Sequence, residues 1–163
     1  MSKDKKKEIG QSSQNSFLKL IEDNIRDNWD IDALTDYKGG TLKYKDVAQS
    51  IARLHIIFEQ TGVKKGDKIA ICGRNSSNWG VVFLATLTYG AVSVPILNDF
   101  KADNIHNIVN HSDSVLLFVG DNVWENIDES AMSKLKGIIS IADFSLLVSR
   151  SSNLEKAHEN INR

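Results

Sequence analysis

The sequence predicts an α/β domain, three-layered and doubly wound on a mostly parallel sheet, from three observations. Short apolar runs led by β-branched residues recur at Lys68–Cys72, Ala91–Leu97, Ser114–Val119 and Gly137–Ile141, as expected of strands covered on both faces. Between them the apolar period changes to that of a helix. The intervening stretches are too long for hairpins, so they read as right-handed crossovers between parallel strands.

Residues 1–14 lack periodicity and large apolar groups and are expected to form a disordered basic tail. Phe17, Ile21, Ile25 and Trp29 then repeat every four residues, which predicts an amphipathic helix from about Ser16 to Asn28. Its polar face is mixed in sign, so packing on its own domain is the favoured use of the stripe. Ala33–Tyr37 and Thr41–Tyr44 flank Lys38-Gly39-Gly40 and read as a hairpin around a tight turn. The next helix carries Tyr44, Val47, Ala48, Ile51, Leu54, His55 and Phe58 on one side and stops at Gly62. Lys43 cannot cap its start through a side-chain acceptor, and Asp46 in the first turn is expected to compensate through the helix dipole. His55 has no second ligand at i+4, so it reads as a residue on the boundary of the apolar face.

The centre of the chain is one β-α-β unit. After Lys68–Cys72, the residues Trp79, Val82, Phe83, Thr86 and Tyr89 line one side of a helix. Ser76 or Ser77 supplies its N-cap, and Gly90 suits the left-handed position past its end. Beyond the loop Asn98-Asp99-Phe100, a helix from about Lys101 to Ser112 turns Ile105, Ile108 and Val109 inward. His106 and His111 fall on different faces, which argues against a shared metal. A helix over about Asn122–Lys136 precedes the strand Gly137–Ile141, and helix-like spacing runs from Ala142 to Arg163 with no glycine or proline stop. Residues 15–150 are expected to form one domain and 151–163 a truncated helical tail.

Bulk composition narrows the function. A 163-residue chain that is 41% hydrophobic and 25% charged is long enough for one domain with a true core. The formal charge is −1 and the cations are scattered, which argues against nucleic acid as a partner. The single cysteine, Cys72, lies within a buried strand and reads as a small apolar residue instead of a nucleophile. Neither a secretion signal nor a run of ~18 apolar residues is visible; the cytoplasm is the expected compartment, with peripheral contact at the inner membrane surface left open. Open α/β sheets bind ligands beyond the carboxyl ends of their strands, so the loops Gly73–Ser76 and Pro95–Phe100 are the places to look. The first has one glycine, no dinucleotide fingerprint and no Walker spacing upstream, and reads as a structural turn.

Four segments agree in order and spacing with a known family: Thr41-Leu42-Lys43-Tyr44-Lys45-Asp46, Gly62-Val63-Lys64-Lys65-Gly66-Asp67-Lys68-Ile69-Ala70-Ile71, Arg74-Asn75-Ser76-Ser77-Asn78-Trp79, and Tyr89-Gly90-Ala91-Val92-Ser93-Val94-Pro95. Over residues 15–150 the chain resembles the start of the AMP-forming acyl-CoA synthetases, and its Asn-x-x-x-Trp spacing is most similar to the long-chain fatty acid branch. The resemblance implies a full-length enzyme that uses ATP, CoA and Mg²⁺ to activate a fatty acid. It also implies a CoA-side loop at Ile96, Leu97, Asn98 and Asp99, here without the small glycines of acetyl-CoA synthetase-like relatives. The family's phosphate loop, rich in Ser, Thr and Gly and followed by Pro-Lys, is absent, since Pro95 is the only proline; the family's catalytic lysine belongs to a separate C-terminal domain. No catalytic residue and no metal ligand is therefore expected in this chain, which reads as an inactive N-terminal fragment binding no cofactor tightly. Self-association through a truncated face follows as an expectation. The alternatives are a carrier-protein or aryl-acid adenylating enzyme, and a noncatalytic α/β binding module.

Overall fold

The computed structural model describes residues 17–161; the expected basic tail over 1–14 lies outside them. A helix α1 (17–27) leads into the antiparallel strands β1 (Asp32–Thr35) and β2 (Thr41–Lys43). Their turn is closed by the Asp36 N–H donating to Gly40 O at 3.0 Å, with Lys38 in the left-handed region at φ 55°. Helix α2 (Tyr44–Gln60) follows directly. The expected compensation for Lys43 takes the form of a hydrogen bond: its backbone N–H donates to Asp46 Oδ2 at 2.8 Å, the backbone half of a capping box.

The main sheet contains β3 (Lys68–Cys72), β4 (Val92–Ile96), β5 (Ser114–Val119), β6 (Gly137–Ser140) and β7 (Leu146–Ser149) in the order β4-β3-β5-β6-β7. The first four are parallel, and β7 runs antiparallel to β6. Side chains alternate across the pleat. Ile69, Ile71, Leu116, Phe118 and Ile139 face a layer built from α2, α3 (Ser77–Tyr89) and α6 (Ser152–Ile161). Ala70, Cys72, Leu117, Val119 and Ile138 face α4 (Ala102–His111) and the short α5 (Asp121–Trp124). Three layers thus arise from two apolar faces of one sheet, as predicted. Pro95 suits its place on the edge strand: the Val92 N–H donates inward to Asp67 O, so alternation turns position 95 outward, where a missing N–H breaks no ladder bond.

Local signals around α3 are realised closely. Ser76 is the N-cap, its Oγ accepting from the Trp79 N–H at 3.1 Å, and Gly90 ends the helix at φ 88°. The buried stripe is rotated from the expected one and consists of Val81, Val82, Ala85 and Thr86. Trp79 and Phe83 stack on its flank with centroids 5.5 Å apart. The reason is that α3 is covered twice, by the sheet and by α2, so a one-sided period is weak evidence for which face is deepest.

Two expected helices are not formed as read. The stretch expected to be helical over Asn122–Lys136 holds only α5 and a 3₁₀ turn, Glu129–Ala131. Here side chains take over backbone partners: Asp128 Oδ1 accepts from both the N–H and Oγ of Ser130, and the Arg150 guanidinium donates to the carbonyls of Glu129, Met132 and Leu135. Such local bonding competes with the helix ladder. The helix-like spacing from Ala142 onward gives way to a turn with Phe144 at φ 59°, then β7, and helix begins only at Ser152. Pairing with β6 overrides the local period. Helix α6 then buries Leu154 and Ala157 in the core beneath α2.

Candidate functional site

Beyond the carboxyl ends of the strands, β3 feeds α3 on one face while β4 and β5 feed α4 and α5 on the other. The reversal places a crevice past β3, β4 and β5. A cavity of about 430 Å³ lies there, between the β4–α4 loop and α5. Its floor is Ile105, Val123 and Ile127; its rim carries Asn98, Phe100 and Asn122.

The four residues of the expected CoA-side loop separate in role. Asn98 and Asp99 line the cavity. Ile96 is buried in the core beneath α4. Leu97 is 61% exposed, and its carbonyl lies 3.8 Å from Cys72 Sγ. The opposite wall, Asn122, Val123, Asn126 and Ile127, was missed in the sequence. Its signal was available: Gly120-Asp121-Asn122 leaves the carboxyl end of β5, the strand beside β3, and the crevice rule applies to it equally.

The loop Gly73–Ser76 behaves as a turn. A Cβ on Gly73 would stand 2.8 Å from Ile141 Cδ1 and 3.2 Å from Gly120 N, so only glycine allows the β3 and β5 loops to meet. The first amides of α3 already have acceptors. Trp79 N–H bonds Ser76 Oγ, and Ser77 N–H donates to Asp36 Oδ1 at 2.6 Å, across 41 residues. The hairpin's own carboxylate thus occupies the position that an anion would take at a helix N-terminus. Asn78 Nδ2 donates to Ile141 O and Ala142 O, each at 2.9 Å, and ties the same helix to the end of β6.

Cys72, His55 and His106 are each held within the fold. Burial pushes the Cys72 thiol up to about 11, which leaves it protonated and unreactive near neutrality. His55 Nε2 lies 3.0 Å from Ala85 O and 3.1 Å from Thr88 Oγ1, linking α2 to α3. His106 Nε2 accepts from the Asp128 N–H at 3.0 Å. Two apolar clefts of about 630 and 330 Å³ flank α1, in the helical layer and not at the strand ends.

The profile of the AMP-binding enzymes matches residues 21–161. The chain belongs to that family. Within it, the fatty acyl-CoA synthetase A of Dictyostelium discoideum is 32% identical over 136 residues, covering 81% of this chain and 19% of that relative. The chain therefore spans about a fifth of the relative's length. Among solved AMP-binding enzymes, the coronafacic acid ligase of Pectobacterium brasiliense superposes with a TM-score of 0.74 at 18% identity, covering 87% of this chain and 29% of that one. A long-chain-fatty-acid-CoA ligase from Archaeoglobus fulgidus gives 0.69 at 16% identity, covering 87% and 29%. These likenesses show the fold of the N-terminal region of adenylate-forming ligases. Membership in the AMP-binding family implies use of ATP, CoA and Mg²⁺ by full-length members. Among the described residues no group of three His, Cys, Asp or Glu side chains fits a metal ion. No described helix is long and apolar enough to cross a membrane.

Proposed function

We propose that this chain is the N-terminal portion of a long-chain fatty acid–CoA ligase. In the whole enzyme a fatty acid carboxylate would attack the α-phosphorus of ATP, releasing pyrophosphate and giving an acyl adenylate. The CoA thiol would then take the acyl group and release AMP. The charge that develops in both steps needs preorganised donors and cations, and this chain carries no Pro-Lys phosphate loop, since its only proline, Pro95, is followed by Ile96. Its part is to build one flank of the large domain and, through Asn98 and Asp99, a wall on the CoA side. The similarity to a fatty acyl-CoA synthetase over 81% of the chain is the observation that carries this reading.

The experiment measures AMP release in the presence of ATP, CoA and palmitate, first from the 163-residue chain and then from a product extended beyond Arg163. No release from the chain and palmitoyl-CoA from the extended product are expected. AMP release from the chain alone overturns its assignment as an inactive portion. A second reading, an adenylate-forming ligase for another acid, draws on the coronafacic acid ligase, which superposes as well as the long-chain enzyme does; activity of the extended product with cyclic or aryl acids and none with palmitate would favour it.

A further inference from the structure

Helix α1 carries more apolar surface than its own domain covers. Ile21 and Ile25 line the clefts on both of its sides, and Ile25 packs on the core beneath. Phe17 and Leu20, one turn apart on the same side of the helix, stay exposed, as do Trp29 and Ile31 just past its end. Single exposed apolar residues are ordinary; four of them between positions 17 and 31, two of them aromatic, mark a surface for contact.

The charges choose among the occupants. Asp23 pairs with Lys19 and Arg26, Asp27 with Arg26, and Asp30 with Lys45, so three carboxylates around α1 are already offset. Glu22, on a cleft wall, and Asp32, at the start of β1, have no ion pair among the described residues. Upstream of the helix the sequence sets Lys3, Lys5, Lys6 and Lys7 against only Asp4 and Glu8, an excess of two positive charges. Lysines next to exposed rings and aliphatic side chains complement an anionic lipid surface: the apolar groups enter the headgroup boundary while the ammonium groups meet the lipid phosphates. A second copy of the chain would cover the apolar residues but bring no counter-charge for the lysines.

We infer that α1 lies on an anionic lipid surface, with Phe17, Leu20, Trp29 and Ile31 inserted at the headgroup level and the upstream lysines held over it. The contact runs along the bilayer and not across it, since no described helix is long and apolar enough to span one. Two excess cations near such a surface favour anionic over uncharged vesicles by roughly 30-fold at low ionic strength, and salt erodes that preference.

Flotation of the 163-residue chain with vesicles of phosphatidylcholine alone, and of phosphatidylcholine mixed equally with phosphatidylglycerol, tests this. Binding to the anionic vesicles that falls about tenfold in Leu20→Ser, Ile31→Ser, and likewise in Lys5→Gln, Lys6→Gln, Lys7→Gln, supports the inference. The lysine variant alters none of the described residues, so it reads the contact even where the first variant loses stability. Equal flotation with both vesicles overturns the role given to the lysines. Flotation indifferent to the Leu20 and Ile31 substitutions overturns the role given to α1, because the contact then lies elsewhere. No flotation with either vesicle overturns the whole inference, and a mass that grows with protein concentration in the same samples then makes a second copy the occupant of this surface.

Discussion

Cys72 stands at the end of β3 with no exposed surface, in the cluster that includes Ile96, Ile105 and Leu117. A thiolate there would be stripped of water, so the thiol titrates at about 11 instead of its ordinary 9.0. The folded value is raised, so the contribution to stability is fully present below pH 9 and is lost as pH rises toward 11. In that window the unfolded chain gives up a proton that the folded chain keeps. Urea unfolding at pH 8 and pH 10.5 is expected to show wild type losing about 2 kcal/mol more than Cys72→Ala over the same interval. Equal losses in both proteins would refute the burial argument. At this scale, what the sequence disclosed was local. The Ser76 cap and the Gly90 stop depend on neighbours within one turn, whereas Asp36 reaching Ser77 and Asn78 reaching Ile141 bridge 41 and 63 residues, and no spacing rule connects them.

Helix α6 and strand β7 show where local pattern yields to the sheet. The parallel strands were legible because each is a closed apolar run between turn residues, buried on both faces. The edge strand β7 was not, because its four residues are all half-buried and their spacing also fits a helix. The missing helix after α5 has a similar cause: its carbonyls are held by Arg150, a residue that belongs to the other side of β6. For the candidate site, the wall from the β4 loop was anticipated, while the wall on α5, a helix of four residues, had only the crevice rule at the end of β5 to announce it. Element α6 carries a prediction of its own. Leu154 has no exposed surface and lies in the core shared with α2 and β6, so Leu154→Ala should cost about 2–5 kcal/mol by the loss of transfer energy and the cavity left behind. An unfolding midpoint unchanged from wild type would show that α6 is a dispensable appendage and not part of the fold.

The whole molecule leaves one region of its surface poorly covered. Phe17, Leu20, Trp29 and Ile31 are 51%, 58%, 45% and 57% exposed. All of them lie in α1 or just beyond it, and the clefts of about 630 and 330 Å³ open along that helix. Exposed apolar side chains gathered on one region mark a surface that gains by being covered. A formal charge of −1 does little to hold copies apart, and the mixed signs on α1, with Arg26 paired to Asp23 and Asp27, add no directional repulsion. The 163-residue chain is therefore expected to self-associate as its concentration rises. Light scattering from micromolar to millimolar protein should show a mass that grows with concentration, and the double substitution Leu20→Ser, Ile31→Ser should bring it back toward the monomer. Neither residue is in the core, so the variant's unfolding midpoint should stay close to wild type and separate lost association from lost fold. A strictly monomeric mass at the highest concentration, in wild type, would mean that α1 already covers what needs covering and that the clefts beside it are ordinary surface.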